Sequence, residues 1–173
     1  VRVGFIGTGF IARTHNWFLK HSSADHRIVA VHDVDVERAQ AFADRVGAQV
    51  VGEDELLERV DAVFVTTWTS EHERLVAAAA DRGIAVFCEK PLAFDGAAAQ
   101  RMVDSVEAAG VVNQVGLILR FMPQFLHAKA LLTDLPDAES QMNQLTELLR
   151  SAGMIVDSQA VALQSQLLTL TQK

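Results

Sequence analysis

Val1-Arg2-Val3-Gly4-Phe5-Ile6-Gly7-Thr8-Gly9-Phe10-Ile11-Ala12 opens the chain and decides its fold. A short β-rich run leads straight into two spaced glycines and then into a helical stretch. Strand, glycine turn and helix, in that order, are the parts of a dinucleotide-binding turn. Gly7 allows the tight turn, and Gly9 lets the backbone approach a pyrophosphate. Ala12 stands where a third small residue lets the helix pack close to the strand. The helix N-terminus then offers free N–H groups and a partial positive charge to the phosphates.

Outward from that turn the same alternation repeats. Strands are expected over Val1–Ile6, Arg27–His32, Gln49–Val51, Asp61–Thr66, Ile84–Cys88 and Val111–Leu117. Helices are expected over Ile11–Lys20, Val36–Val46, Glu53–Glu58, Glu71–Arg82 and Gly96–Ala109, with Gly83 and Gly110 closing the last two. Ala39, Phe42, Ala43 and Val46 share one helical face. Asp61–Thr66 has a continuous apolar centre, as a strand covered on both sides requires. The fold class predicted is α/β: a doubly wound parallel sheet, a Rossmann domain over residues 1–133, followed by a helical C-terminal tail over 134–173.

The tail reads differently from the domain. Gln141, Gln144, Gln159, Gln164, Gln166 and Gln172 replace charge there. Met142, Leu149, Val156, Leu163 and Leu170 keep a seven-residue spacing, with Leu145 and Ala152 between them until Gln159 and Gln166 break the series. Gly153 interrupts the helix at a cost of roughly 1 kcal/mol relative to Ala. Three readings stay open: an amphipathic helix pair packed on the domain, a coiled-coil or dimer-forming tail, or a non-native or disordered extension.

A formal charge of −7 without a basic patch argues against nucleic acid as a partner. No apolar run reaches the roughly 18–20 residues a membrane helix needs. The single cysteine, Cys88, forms no internal disulfide, and no basic-then-apolar leader is visible, so a cytoplasmic location is expected. His15, His21, His26, His32 and His127 show no pair at helical metal-ligand spacing, so no metal site is expected. No Ser-His-Asp or Cys-His arrangement is legible.

Three further sites carry chemistry. Asp33, just beyond the second strand, is placed to accept hydrogen bonds from both ribose hydroxyls of an adenosine. It would repel a 2′-phosphate, and the next residue is Val34 rather than an arginine that could neutralise one, so NAD is expected over NADP. The alternative is that Asp33 caps the following helix, a task for which Asp35 is better placed. Val65-Thr66-Thr67-Trp68-Thr69-Ser70-Glu71-His72 leaves the fourth strand at its carboxyl end, where ligand crevices of open parallel sheets lie. Backbone groups of Thr66, Thr67 and Trp68 could line the nicotinamide-ribose half, while His72 either holds the loop or meets ligand. In Cys88-Glu89-Lys90-Pro91, the Glu89 carboxylate could orient the Lys90 ammonium, which would then help move a substrate proton.

Taken in order, GFIGTGFIARTH, the acid after the second strand, VTTWTSEH, FCEKPLA and QVGLILRF resemble the Gfo/Idh/MocA oxidoreductases over about residues 1–133. The VTTW stretch leans toward the family's inositol dehydrogenase branch. The resemblance implies a Rossmann domain joined to a second, open-sheet domain, and oxidation or reduction of a sugar or cyclitol hydroxyl with NAD(P). It places Gly7, Thr8, Gly9, Phe10 and Ile11 on the pyrophosphate and Asp33 on the adenosine ribose. Thr66, Thr67, Trp68 and His72 would line the middle of the cofactor. Glu89, Lys90 and Pro91 would sit beside the nicotinamide, with Lys90 as the catalytic and substrate-binding lysine. Gln114 would approach the nicotinamide and Arg120 the substrate.

The family's second sheet domain, with its Asp-and-His pair, has no counterpart here. The expectation is therefore the cofactor-binding half of an oxidoreductase: a truncated product, a fragment, or a subunit completed by another chain or by a homo-oligomeric copy. The competing expectation is a non-catalytic NAD(H)-binding or oligomerising protein.

Overall fold

The computed structural model describes residues 1–133 and 138–151. It divides into two compact units, Val1–Gly116 and one beginning at Leu117.

In the first unit, strands β1 (Arg2–Ile6), β2 (Arg27–His32), β3 (Gln49–Val50), β4 (Ala62–Val65), β5 (Ala85–Cys88) and β6 (Asn113–Val115) form one sheet in the order β3-β2-β1-β4-β5-β6. Every pairing is parallel. The crossovers are α1 (Phe10–Lys20), α2 (Val36–Val46), α3 (Glu53–Arg59), α4 (His72–Ala80) and α5 (Gly96–Ala109). The winding reverses between β1 and β4, the point at which open α/β sheets leave a crevice at their carboxyl ends.

Alternation along each strand splits the core in two. Leu56 and Leu57 of α3, Leu75 and Val76 of α4 and Met102 of α5 pack on Ile6, Val63, Val65 and Val86. Ala12 of α1 and Phe42 of α2 pack on Val3, Phe5, Ile28 and Val31 of the opposite face. On that second face Phe5, Phe64 and Phe87 stand in register across β1, β4 and β5, their rings stacked at 4.8 Å each.

Two elements depart from the sequence expectation. The helix expected from Glu71 begins instead as a 3-10 turn at Thr69–Glu71, closed by the Glu71 N–H on the Trp68 carbonyl at 3.0 Å. The last strand is only three residues long: as an edge strand it pairs with β5 alone, and Val112 beside it is 79% exposed.

The second unit holds a 3-10 turn at Ile118–Phe121, α6 (Pro123–Thr133) and α7 (Ala138–Ser151). Pro123 opens α6 where its missing N–H costs nothing. The tail is thus helical as expected where it is described. Ala152, Gly153, Val156, Leu163 and Leu170 lie outside the described residues. Among those described, no helix is long and apolar enough to cross a membrane.

Candidate functional site

Gly7 is the tightest point of the crevice. Its φ is 87°, and a Cβ there would lie 2.6 Å from the Thr66 carbonyl oxygen. Only glycine fits. The turn is clamped from both sides: the Gly7 N–H donates to the His32 carbonyl at 2.8 Å, and Thr66 Oγ1 donates to the Gly7 carbonyl at 2.6 Å. Gly9, by contrast, has nothing within 4 Å of where a Cβ would stand, and no side chain caps the N-terminus of α1. The first-turn amides of α1 therefore face open space, the arrangement a diphosphate needs.

Around that turn lies a cleft of about 320 Å³, a size suited to a small ligand. Gly7, Gly9, Phe10, Ile11, Asp33, Thr66, Thr67 and Trp68 all line it. Eight residues chosen from sequence thus converge on one cavity. Phe10 and Trp68 are largely exposed at its mouth. Thr66 and Thr8 are buried, and their hydroxyls are committed to the protein. Thr66 still lines the cleft, whereas Thr8 does not and gives its main-chain N–H to Asp33 as well.

Asp33 sits at the rim beyond β2. Its Oδ2 accepts from the Thr8 N–H at 2.7 Å, Thr8 Oγ1 at 2.9 Å and Arg38 Nε at 3.1 Å. Its Oδ1 accepts from the Asp35 N–H at 3.0 Å and an Arg38 terminal nitrogen at 2.9 Å. Burial raises its pKa, but Arg38, Thr8 and the Asp35 amide outweigh that and hold the carboxyl well below its usual range. Asp35, not Asp33, is the N-cap of α2, accepting from the Arg38 N–H at 3.0 Å. The residue after Asp33 is Val34, but an arginine does stand beside the carboxylate: Arg38, from the first turn of α2. Farther out, Arg74 is held between Glu53 and Glu71, closing the wall beside Leu75.

The end of β5 is assembled differently from expectation. Neighbouring residues on an extended chain point to opposite sides, and Glu89 does not orient the Lys90 ammonium. Glu89 Oε2 instead accepts the Lys90 main-chain N–H at 2.8 Å, while Oε1 accepts from His15 Nε2 at 2.6 Å. Lys90 is exposed, and its ammonium has no ion-pair partner among the described residues. The Lys90–Pro91 bond is cis. His72 is buried and ties two loops together: Nδ1 faces the carbonyls of Pro91 at 3.1 Å and Leu92 at 3.2 Å, and Nε2 that of Thr67 at 3.3 Å. It holds the loop. Cys88 is buried, and burial, with the Glu89 charge adding, pushes its thiol up to about 12.

Two chosen residues fall elsewhere. Gln114, on β6 in register with Phe87, is exposed and donates to the Val115 carbonyl at 2.9 Å. Arg120 belongs to the second unit. Two residues that the sequence had not marked, Arg38 and His15, prove central. Only Asp35-x-x-Arg38, an N-cap followed by a first-turn cation, hinted at the former. Among the described residues no group of three acidic, histidine or cysteine side chains could hold a metal.

Residues 1–117 match the profile of an oxidoreductase family with the NAD-binding Rossmann fold, Gfo/Idh/MocA. Inositol 2-dehydrogenase 3 of Saccharopolyspora erythraea is 42% identical over 135 residues, which cover 76% of this chain and 40% of that protein. A probable dehydrogenase from Thermotoga maritima superimposes with a TM-score of 0.69 at 33% identity, over 78% of this chain and 41% of the other. GenD2 from gentamicin A biosynthesis, solved in complex with NAD, gives 0.71 at 29% identity, over 78% and 39%. The chain spans about 40% of the length of the relatives it matches.

Proposed function

The chain belongs to the Gfo/Idh/MocA oxidoreductase family, and from that premise we propose that it is the NAD-binding part of a dehydrogenase acting on a hydroxyl of a sugar or cyclitol. One observation carries this: the locked glycine turn, the uncapped start of α1 and the Asp33 carboxylate all border one cleft at the sheet's switch point. The residues fit a dinucleotide. Amides of the α1 first turn would take the diphosphate, Asp33 the adenosine ribose, and the main chain of Thr66–Trp68 the middle of the cofactor. NAD supplies the acceptor for the hydride that leaves the substrate carbon.

Lys90 is proposed to hydrogen-bond the substrate hydroxyl and to help carry its proton away. Its exposure at the end of β5 and its unengaged ammonium leave it available for that. The inositol 2-dehydrogenases among the relatives favour a cyclitol over other polyols. NAD is proposed over NADP because a 2′-phosphate would meet the Asp33 carboxylate.

Calorimetric titration with NAD and NADP, then NADH absorbance over a panel of inositols and sugars, tests both halves. Saturable heat with NAD and weaker heat with NADP is the expected result. No heat with millimolar NAD would overturn the proposal. NAD binding without turnover on any panel member would favour a non-catalytic dinucleotide binder.

A further inference from the structure

We propose that His15 is a positioning residue for the nicotinamide end of the cleft: through Nε2 it holds the Glu89 carboxylate, and with it the Lys90 main chain, in the one arrangement that receives that half of the cofactor. This rests on the cleft taking NAD(H).

Glu89 is 7% exposed, and a buried carboxylate is costly unless its oxygens are partnered. Among the described residues neither a lysine nor an arginine pairs with it. His15 does, at 2.6 Å, and the Lys90 N–H takes the other oxygen at 2.8 Å. The third side is closed by Gly116, where a Cβ would lie 3.0 Å from Oε1. The carboxylate is therefore gripped from α1, from its own strand end and from the end of β6. The imidazole is fixed in turn: it packs edge-on to Phe87 at 4.7 Å and tilted against Phe64 at 5.6 Å, the two rings stacked beneath it.

The position along α1 matters as much as the contacts. Ile11 lines the cleft, and His15 is four residues on, one turn along the same helical face. A single rigid helix thus presents its first-turn amides where a diphosphate would sit and His15, in its middle, where β5 ends. In a Rossmann crevice the adenosine half lies over β2, so the other half extends toward β4 and β5. His15 links the two ends, setting the distance between diphosphate site and Glu89–Lys90 wall.

The test compares two ligands on the full chain: NAD, and ADP-ribose, which shares everything but the nicotinamide. His15→Phe keeps a ring against Phe64 and Phe87 but removes the donor. It is expected to weaken NAD binding by about tenfold and to leave ADP-ribose within about twofold. His15→Gln places an amide nitrogen at the same reach as Nε2 and should recover most of the loss. Gly116→Ala leaves His15 untouched and crowds the carboxylate, so it should reproduce the NAD-selective defect even if His15→Phe does not fold. Equal weakening of both ligands, no change in either, or a His15→Gln protein no better than His15→Phe would overturn the proposal. An unsubstituted chain that binds neither ligand would overturn the cofactor assignment itself, and this proposal with it.

Discussion

Two buried acids follow strands at their carboxyl ends, Asp33 lining the cleft beyond β2 and Glu89 just past β5, and they are held in opposite ways. The side chains of Asp33 and Glu89 are almost equally buried, at 6% and 9% exposure. Asp33 faces Arg38, whose side chain is 42% exposed and reaches in from the surface of α2. Glu89 faces His15, whose ring is wedged on a ladder of aromatic side chains. An exposed arginine gives up its partner at little cost, because water replaces it. The half-buried His15 imidazole cannot leave without stranding a buried carboxylate. On the proposed cofactor placement, the Asp33 end would exchange partners when a ribose arrives, and the Glu89 end would keep them.

The most severe way to test the second half of that contrast is to remove the group the fixed end presents. Lys90→Met should reduce turnover by about a thousandfold while leaving NAD affinity within about twofold, measured by steady-state rates and calorimetry on the same preparation. Comparable losses in both would mean that Lys90 binds the cofactor and moves no proton. Gly7 stands between the two ends, and its failure would disable both. Gly7→Ala puts a Cβ 2.6 Å from the Thr66 carbonyl oxygen at a φ of 87°, which should cost about 2–3 kcal/mol in urea unfolding. A loss below about 0.5 kcal/mol would show that the turn relaxes.

The parts of the molecule that could be read from sequence are those fixed by local pattern. Apolar runs such as Ala62–Val65 and amphipathic faces such as Ala39, Phe42 and Ala43 announce themselves, and their alternation dictates the sheet. The glycine turn and Asp33 were legible because their spacing is set by one βαβ unit. His15 and Glu89 are 74 residues apart, and no local rule joins a helix position to the end of β5. That meeting depends on sheet order and on the helix lying across Phe64 and Phe87. Glu89 and Lys90 show the converse: adjacency in sequence suggests an ion pair, yet the Glu89 oxygens are taken by His15 and by the Lys90 main-chain N–H. The edge strand β6 is shorter than the sequence suggests, because Val111 and Val112 look like strand residues, yet Val112 is largely exposed.

The exchangeable end yields a smaller effect. Asp33→Ala should weaken NAD binding by about tenfold, the worth of a charge-assisted hydrogen bond to ribose, and should narrow the preference for NAD over NADP. An unchanged ratio of the two affinities would leave Asp33 as no more than an anchor for Thr8 and the start of α2.

The smallest effect, and the most telling for the comparison, is expected at Arg38. If Arg38 must leave Asp33 before a ribose can bind, Arg38→Ala removes a competitor: NAD affinity should hold or rise by up to about threefold. NADP should lose by a similar factor, since a cation that could meet its 2′-phosphate is gone. Stability changes in a predictable direction with pH. Asp33 is held below its usual range in the folded state, so it contributes stability above the unfolded carboxyl pKa and loses it as pH falls through that value and below. Without Arg38 that depression shrinks, and the acid limb of the stability profile should flatten while the neutral region changes little. A fall in NAD affinity on removing Arg38 would invert the picture: the arginine would then be a cofactor contact in its own right, and the two ends of the cleft would be fixed alike.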